Sequence, residues 1–425
     1  MKRNRMLAML LAAGLLVGCG SVEPAELLTG DKESAVMGNI VEGNEQVHSL
    51  QADNEGPLWE FSHRLFEENM NEHNPVLSPV SAYLAMGMVG LGAKNATLDE
   101  FQSVMGADMH EVSQGLMQSL PKGNMQEAKD GENVLSLANS AWVDDFLEPA
   151  QNWLDEVSQN YAAEVYRTEL SSKAAMNQIN DWIETKTNGM IKKFIDEPMS
   201  QDTCLALFNT IYFYGQWQST FSANNTYKDT FIRGDGTEVQ VDMMHKSRTN
   251  VYYVQQDGLD GVILPYRGME TAFVALKPTA GQTVREMYEG ITEEAFQELL
   301  SVEELTYANL KLPKFEVIFD RMLNDSFINM GLASAFNPGK ADFSGLGSAH
   351  EENLYISLVR QKAVVRVDEK GTEAAAVTAV MNKATSAKPL ELQPIEVFFD
   401  EPFLYMIVDI ESRTALFVGI MDCPE

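Results

Sequence analysis

The sequence predicts an α+β fold, and three observations predict it. Before about residue 200, apolar residues recur at helical spacing in several windows. After it come short runs rich in β-branched and aromatic residues, with one helical window among them. Between the later runs and the closing ones lies a long stretch of Ala, Thr and Ser, residues 368–388. Helices before strands, in a chain with 45% apolar and 22% charged residues, describe a folded domain whose helices and sheets are segregated.

The chain opens with Lys2, Arg3 and Arg5 ahead of an apolar run from Met6 to Val17. That run is too short to span a bilayer as a mature helix and is built like a secretory signal. It ends in Leu16-Val17-Gly18-Cys19, which resembles a bacterial lipobox. The resemblance implies removal of residues 1–18, lipidation of Cys19 and stable membrane anchoring by several acyl chains. An ordinary secretory signal that happens to end near a cysteine would export the protein without the anchor. Gly20 is not the aspartate that resembles an inner-membrane retention signal, which favours the outer membrane or cell surface. Residues 19–56 are polar, acidic and free of periodicity, with Gly30, Gly38, Gly43 and Gly56, and read as a lipidated N-terminus and flexible tether. No linker or repeat follows, so residues 57–425 read as one domain.

Within that domain a helix opens at Pro57, with Leu58, Phe61 and Leu65 on one face. Asn74 to Met86 reads as a short strand running into a helix begun at Ser78-Pro79, where the hydroxyls of Ser78 and Ser81 suit capping. Helical patterns follow at Pro149–Tyr161 and Ala174–Lys193. Residues 203–213 form the nearly unbroken apolar run of a strand buried on both faces, in which Asn209 must find partners. Strand-like runs occupy Thr237–Met244, Val251–Val254, Gly261–Pro265, Thr271–Leu276 and Leu305–Phe319, interrupted by a helical window at Thr283–Leu300. Further runs at Leu354–Val359 and Ala363–Val367 lead into the Ala/Thr/Ser stretch, and Ile395–Phe399, Phe403–Val408 and Ala415–Ile420 close the chain.

Composition excludes several functions. Loss of the leader moves the formal charge from −31 to −34, which repels nucleic-acid phosphates. The chain shows no basic helical face for heparin. Three cysteines, Cys19, Cys204 and Cys423, make no disulfide framework, and Cys204 lies in an apolar run where a buried thiol is expected. The six histidines have no ligand spacing, so no metal and no cofactor is expected. No Gly-x-Ser-x-Gly is present, and no Ser, His and Asp set points to a hydrolase.

Residues 368–388 can be read with either period. From Thr372, one side of a strand would carry Thr372, Ala374, Ala376, Thr378 and Val380, with Glu373, Ala375, Val377 and Ala379 opposite. A helix capped by Thr372, or a mobile loop, suits the same residues better on local grounds.

The ordered series of motifs resembles the serpin family over nearly all of residues 57–425. It comprises Asn74 to Met86, Asn139 with Ala141-Trp142-Val143, Tyr161-Ala162-Ala163-Glu164, and Ile179-Asn180-Asp181-Trp182 with Thr187. It continues through Asn209 to Phe213 with Trp217, Met243-Met244, Leu264-Pro265-Tyr266, Leu312-Pro313-Lys314-Phe315 and Ala341 to Ser344. Glu369 to Ala376 and Pro402-Phe403 complete it. Each motif alone is weak; the order is specific.

The resemblance implies three β-sheets with surrounding helices and an exposed reactive-centre loop. It implies a monomeric suicide-substrate inhibitor of serine, and also cysteine, endopeptidases, not an enzyme. The protease cuts the loop, and the cut loop inserts into the main sheet and traps the acyl-enzyme. The hinge would be Glu369, Gly371, Thr372, Glu373, Ala374, Ala375 and Ala376, whose small residues slip between strands. Counting forward from Glu369 puts the reactive bond at Thr385-Ser386. Counting back from Pro402 and Phe403 points near Glu391, and Met381, Lys383 and Lys388 are alternative cleavage points. The sheet-opening region would hold Ser78, Ser81, Asn209, Trp217, Ser357 and Gln361. Gln361 stands where many serpins carry a histidine. A non-inhibitory binding protein of serpin fold, or a plain protease substrate, is the competing reading.

Overall fold

A computed structural model describes residues 24–29, 55–120, 133–161, 163–187, 189, 191–279, 281–349, 353–372 and 393–424. In chain order the elements are β1 (Glu26–Leu27), α1 (Glu55–Glu67), β2 (Val76–Leu77), α2 (Pro79–Gly90), α3 (Asn95–Met105), α4 (Met109–Ser119), β3 (Val134–Val143), β4 (Leu147–Pro149), α5 (Gln151–Tyr161) and β5 (Glu164–Arg167). Next are α6 (Lys173–Lys186), β6 (Leu205–Gln216), β7 (Thr226–Ile232), β8 (Glu238–Gln256), β9 (Leu259–Pro265), β10 (Thr271–Pro278), α7 (Val284–Glu289), α8 (Glu293–Leu299) and β11 (Leu305–Pro313). The chain ends with β12 (Phe315–Met322), α9 (Asn324–Met330), β13 (Gly347–Ala349), β14 (Leu358–Val367), β15 (Gly371–Thr372), β16 (Ile395–Phe398), β17 (Phe403–Asp409) and β18 (Thr414–Met421).

The main sheet has the order β1-β5-β3-β6-β15-β14-β12. The two other expected sheets share the long strand β8, giving one nine-stranded sheet: an eight-strand path from β16 to β2, with β7 beside β8. A bulge carries β8 across: Arg248 takes φ 55°, its N–H is held by Asn309 Oδ1, and the β11 register shifts between Ala308 and Leu310.

The helix α2 is buried at every residue, as its all-round apolar sequence requires, and packs against β6 on one side and β18 on the other. Ser78 caps it, accepting from the Ser81 N–H at 3.3 Å. The opposite face of the main sheet is covered by α6, whose Ile179, Trp182 and Ile183 pack on Trp142, Ala206 and Phe208. Alternation along β6 therefore sends Phe208 toward α6 and leaves Asn209 for the α2 side.

The structure corrects several expectations. Part of the flexible tether is ordered: β1 pairs antiparallel with β5, and α1 begins at Glu55. The edge of β5 offers unpaired backbone groups that a neighbouring polar segment can satisfy. The helix expected to reach Lys193 stops at Lys186, because the Thr187 hydroxyl bonds Ile183 O and Gly189 turns away at φ 77°. Leu305–Phe319 divides at Lys314 into β11 and β12, and residues 354–357 lie outside β14. Cys19, Glu373, Ala374, Ala375, Ala376, Met381, Lys383, Thr385, Ser386 and Lys388 lie outside the described residues.

Candidate functional site: the mouth of the main sheet

The strands β6 and β14 run parallel and pair directly from Leu358–Ala206 to Ala363–Ile211. Beyond Ala363 a third strand lies between them. β15 runs antiparallel to both, with Gly371 opposite Gln216, Thr372 opposite Gly215, and Thr372 opposite Val367. Gly371 and Thr372 of the Ala/Thr/Ser stretch are thus already a strand, where loop or helix is the expectation on local grounds.

Sequence explains the turn that takes the chain there. Asp368-Glu369-Lys370-Gly371 has Asp first and Gly fourth, the preference of a type I turn. Asp368 Oδ1 accepts from the Lys370 N–H at 2.7 Å and the Gly371 N–H at 3.3 Å, and the Asp368 N–H donates to Gly371 O at 2.9 Å. Gly371 is forced by contact: an added Cβ would lie 1.9 Å from the carbonyl oxygen of Gly215.

Aromatic residues fasten this turn. Trp217 donates its indole N–H to Asp368 O at 2.8 Å and its backbone N–H to Lys370 O at 2.8 Å, while the Phe221 N–H reaches Glu369 O at 2.8 Å. The Trp217 ring stacks on Tyr266 at 4.8 Å, and the Tyr266 hydroxyl bonds Thr372 Oγ1 at 2.5 Å. Burial holds the Tyr266 phenol far above its ordinary pKa, so it stays protonated. Lys314 pairs with Glu369 at 2.9 Å. Burial pushes the Glu369 carboxyl upward, but the Lys314 ammonium and nearby donors outweigh that and hold it below the usual range.

A second polar group lies further down, where β6 and β14 are in direct contact. Asn139, Asn209 and Gln361 stand in one row across β3, β6 and β14. Asn209 donates to Asn139 Oδ1 at 2.5 Å. Gln361 grips the N-terminus of α2 with both ends of its amide: Oε1 accepts from Ser78 N–H at 2.8 Å, and Nε2 donates to Ser78 O at 2.9 Å. Ser81 Oγ, Asn139 Nδ2 and Asn209 Oδ1 are buried without a hydrogen-bond partner among the described residues.

The six residues expected in one sheet-opening region therefore divide. Ser78, Ser81, Asn209 and Gln361 come together. Trp217 belongs to the turn at Asp368–Gly371, and Ser357 sits below both, accepting from the Cys204 N–H at 3.1 Å. Asn139, Tyr266 and Asp368 were not assigned to the site from sequence. Asn139 could have been found as a second amide in a strand-like run, and Asp368 from its turn signature; Tyr266 is marked only by the motif Leu264-Pro265-Tyr266, which does not reveal its partner.

A family model described as serpin (serine protease inhibitor) matches residues 58–424. Among curated proteins, Iripin-2 of Ixodes ricinus is 31% identical over 353 residues, covering 82% of this chain and 87% of that protein. Antithrombin-III of Homo sapiens is 30% identical over 386 residues, covering 88% and 82%. Among solved structures, the thermophilic serpin tengpin in its native state matches with a TM-score of 0.81 at 27% identity, covering 94% of this chain and all of that one. The same serpin in its latent state gives 0.71 at 26% identity, covering 87% and 97%. The sheets and the central buried helix agree with these matches, and the chain belongs to the serpin family.

Proposed function

We propose that this serpin inhibits serine endopeptidases, and cysteine endopeptidases by the same route, as a suicide substrate. The observation that carries the reading is β15, antiparallel between two parallel strands at the upper end of their contact. Each further residue drawn in behind Thr372 would find hydrogen-bonding strands on both sides. The small residues Ala374, Ala376 and Thr378 are what such a slot accepts. In the reaction the protease hydroxyl or thiol attacks the Thr385 carbonyl carbon, the peptide bond to Ser386 breaks, and the Ser386 amine leaves with a proton. The acyl-enzyme is then carried along as the loop inserts, before water can release it.

The polar row at Asn139, Asn209 and Gln361 supports the reading. Its unsatisfied atoms make the closed seam less favourable than an apolar one, by about 1–3 kcal/mol for each buried group left unpaired. A seam of that kind is suited to opening.

Export and lipid anchoring through Cys19, at the outer membrane or cell surface of a bacterium, belong to the same proposal and rest on the lipobox-like run. The mass of the N-terminal peptide from membranes tests this, with Cys19→Ala as control. The inhibitory reading is tested by incubation with a panel of serine and cysteine proteases, denaturing gels and mass mapping of the released C-terminal peptide. A complex surviving denaturation and a peptide beginning at Ser386 are expected. Cleavage without any such complex would leave a non-inhibitory protein of serpin fold.

A further inference from the structure

The segment from Pro24 to Thr29 is fastened to the domain far more firmly than a tether needs. The Ala25 N–H donates to Gln178 Oε1 at 2.9 Å, joining the segment to α6. Glu26 and Leu27 pair with Arg167 and Tyr166, and the Leu28 N–H reaches Val165 O at 2.8 Å. Thr29, only 5% exposed, has its hydroxyl within 3.2 Å of Ala163 O and accepts from the Val165 N–H at 2.9 Å. Arg167 bridges Glu26 at 2.5 Å and Glu148 at 3.1 Å. Ala25 and Leu28 pack against the two apolar clusters of the core. A backbone ladder, a buried hydroxyl, an ion-pair triad and apolar contacts all act within six residues.

The position of this fastening matters because of what precedes it. From Cys19 to Glu26 there are seven residue steps, spanning at most about 25 Å at 3.3–3.6 Å per residue. Had the chain first met the domain at Glu55, thirty-six steps would have allowed about 125 Å. We propose that Pro24 to Thr29 is a mooring: it holds the β1–β5 edge of the main sheet, with the start of α6, within about 25 Å of the bilayer. The inhibitor then works with this edge kept nearer the lipid surface than the β12 edge, not at the end of a long leash. This rests on the lipid-anchor reading above. The mooring also opposes a force the composition creates, since the acidic chain is repelled by anionic headgroups within about a Debye length, ~8 Å at physiological salt.

The test uses the full-length protein reconstituted in vesicles of phosphatidylethanolamine and phosphatidylglycerol carrying an acceptor dye in the headgroup. Cys204 and Cys423 are buried, so one introduced cysteine can be labelled selectively. Lys173→Cys reports from the start of α6. Ile318→Cys, at a 59% exposed position on β12, reports from the opposite edge, about 25 Å further across the strands. Energy transfer at least twofold greater from residue 173 than from residue 318 is expected. A spacer of thirty Gly and Ser residues inserted between Ser21 and Val22 should abolish that difference and lower both signals. Leu28→Pro, which removes the donor to Val165 O from this edge, should act likewise while protease complexes still form. Equal transfer from the two positions in lipidated wild type, or no change on adding the spacer, overturns the mooring. An unmodified Cys19 in the mass spectrum overturns it together with the anchor, so the two failures are told apart.

Discussion

Replacing Thr372 by arginine separates the folded state from the inhibitory one. Thr372 is 2% exposed, between β6 and β14, with its hydroxyl on the buried Tyr266 phenol. A guanidinium left there without a carboxylate costs several kcal/mol even after relaxation. Withdrawing β15 instead forfeits only the pairings at Gly371 and Thr372, on the order of 2–4 kcal/mol at about 0.5–1.5 kcal/mol per hydrogen bond. Withdrawal costs less, so Thr372→Arg should fold with its hinge outside the sheet, and the cut loop should be refused at its first step. Titration against a protease inhibited by the wild type, read on denaturing gels, measures moles of inhibitor consumed per mole of enzyme trapped. That ratio should rise at least tenfold, with the variant recovered as cleaved product. Stable complexes at the wild-type ratio would refute insertion through this slot.

Three further outcomes are expected. Gln361→Ala leaves the Ser78 N–H buried without a partner, while the Ser78 carbonyl keeps the Ala82 N–H, and should cost about 1–3 kcal/mol, read as a lower midpoint of denaturant unfolding. Tyr266→Phe removes one hydrogen bond worth about 0.5–1.5 kcal/mol and should speed amide exchange at Thr372, while exchange at Asn209 stays unchanged. Stability should fall in two steps as pH drops. Burial lowers His110 and His245 below the ordinary 6.5, with Glu156 and Asp229 opposing, so their contribution is full above 6.5 and lost below it. Glu369 and Asp229 are held below ordinary carboxyl values of 4.5 and 3.8, so their contribution is lost only at lower pH still. Thermal midpoints measured from pH 8 to 3 check both steps, and His110→Gln should shrink the first.

How far the sequence can be read depends on what kind of interaction shapes each element. Strands such as β6 and β17 are apolar over most of their length and are legible from composition. So is α2, where Ser78-Pro79 announces the helix start. The boundary of α6 is less so, because a side chain ends it: Thr187 folds back on Ile183 O. The reading also stops short of α3, although Leu98, Phe101, Val104 and Met105 have helical spacing. Two features resist local reading altogether. β1 is a two-residue element without periodicity that becomes a strand only because β5 presents an open edge about 140 residues away in sequence, as Glu26 against Arg167 shows. The pairing of Tyr266 with Thr372, 106 residues apart, leaves no periodic trace in either neighbourhood.

In the proposed mechanism, the hinge and the polar row would limit insertion at different points. Gly371 and Thr372 enter where β6 and β14 have already parted, so their insertion breaks no contact between those strands. The next residues cannot follow on the same terms: below Ala363 the two strands are joined over six residue pairs, and Gln361 ties β14 to the start of α2. Advancing the loop means exchanging each parallel pairing for two antiparallel ones, a gain per residue that needs the seam to separate first. In the proposed mechanism the barrier would sit at Asn139, Asn209 and Gln361, not at Gly371 and Thr372. An amide there holds both backbone groups of Ser78 without titrating between pH 5 and 8, where an imidazole would change charge. Sheet opening in this serpin should therefore be insensitive to pH over that interval, even while overall stability falls through His110 and His245. Rates of complex formation with a protease whose own activity is flat from pH 6 to 8 would expose any titrating group at the seam.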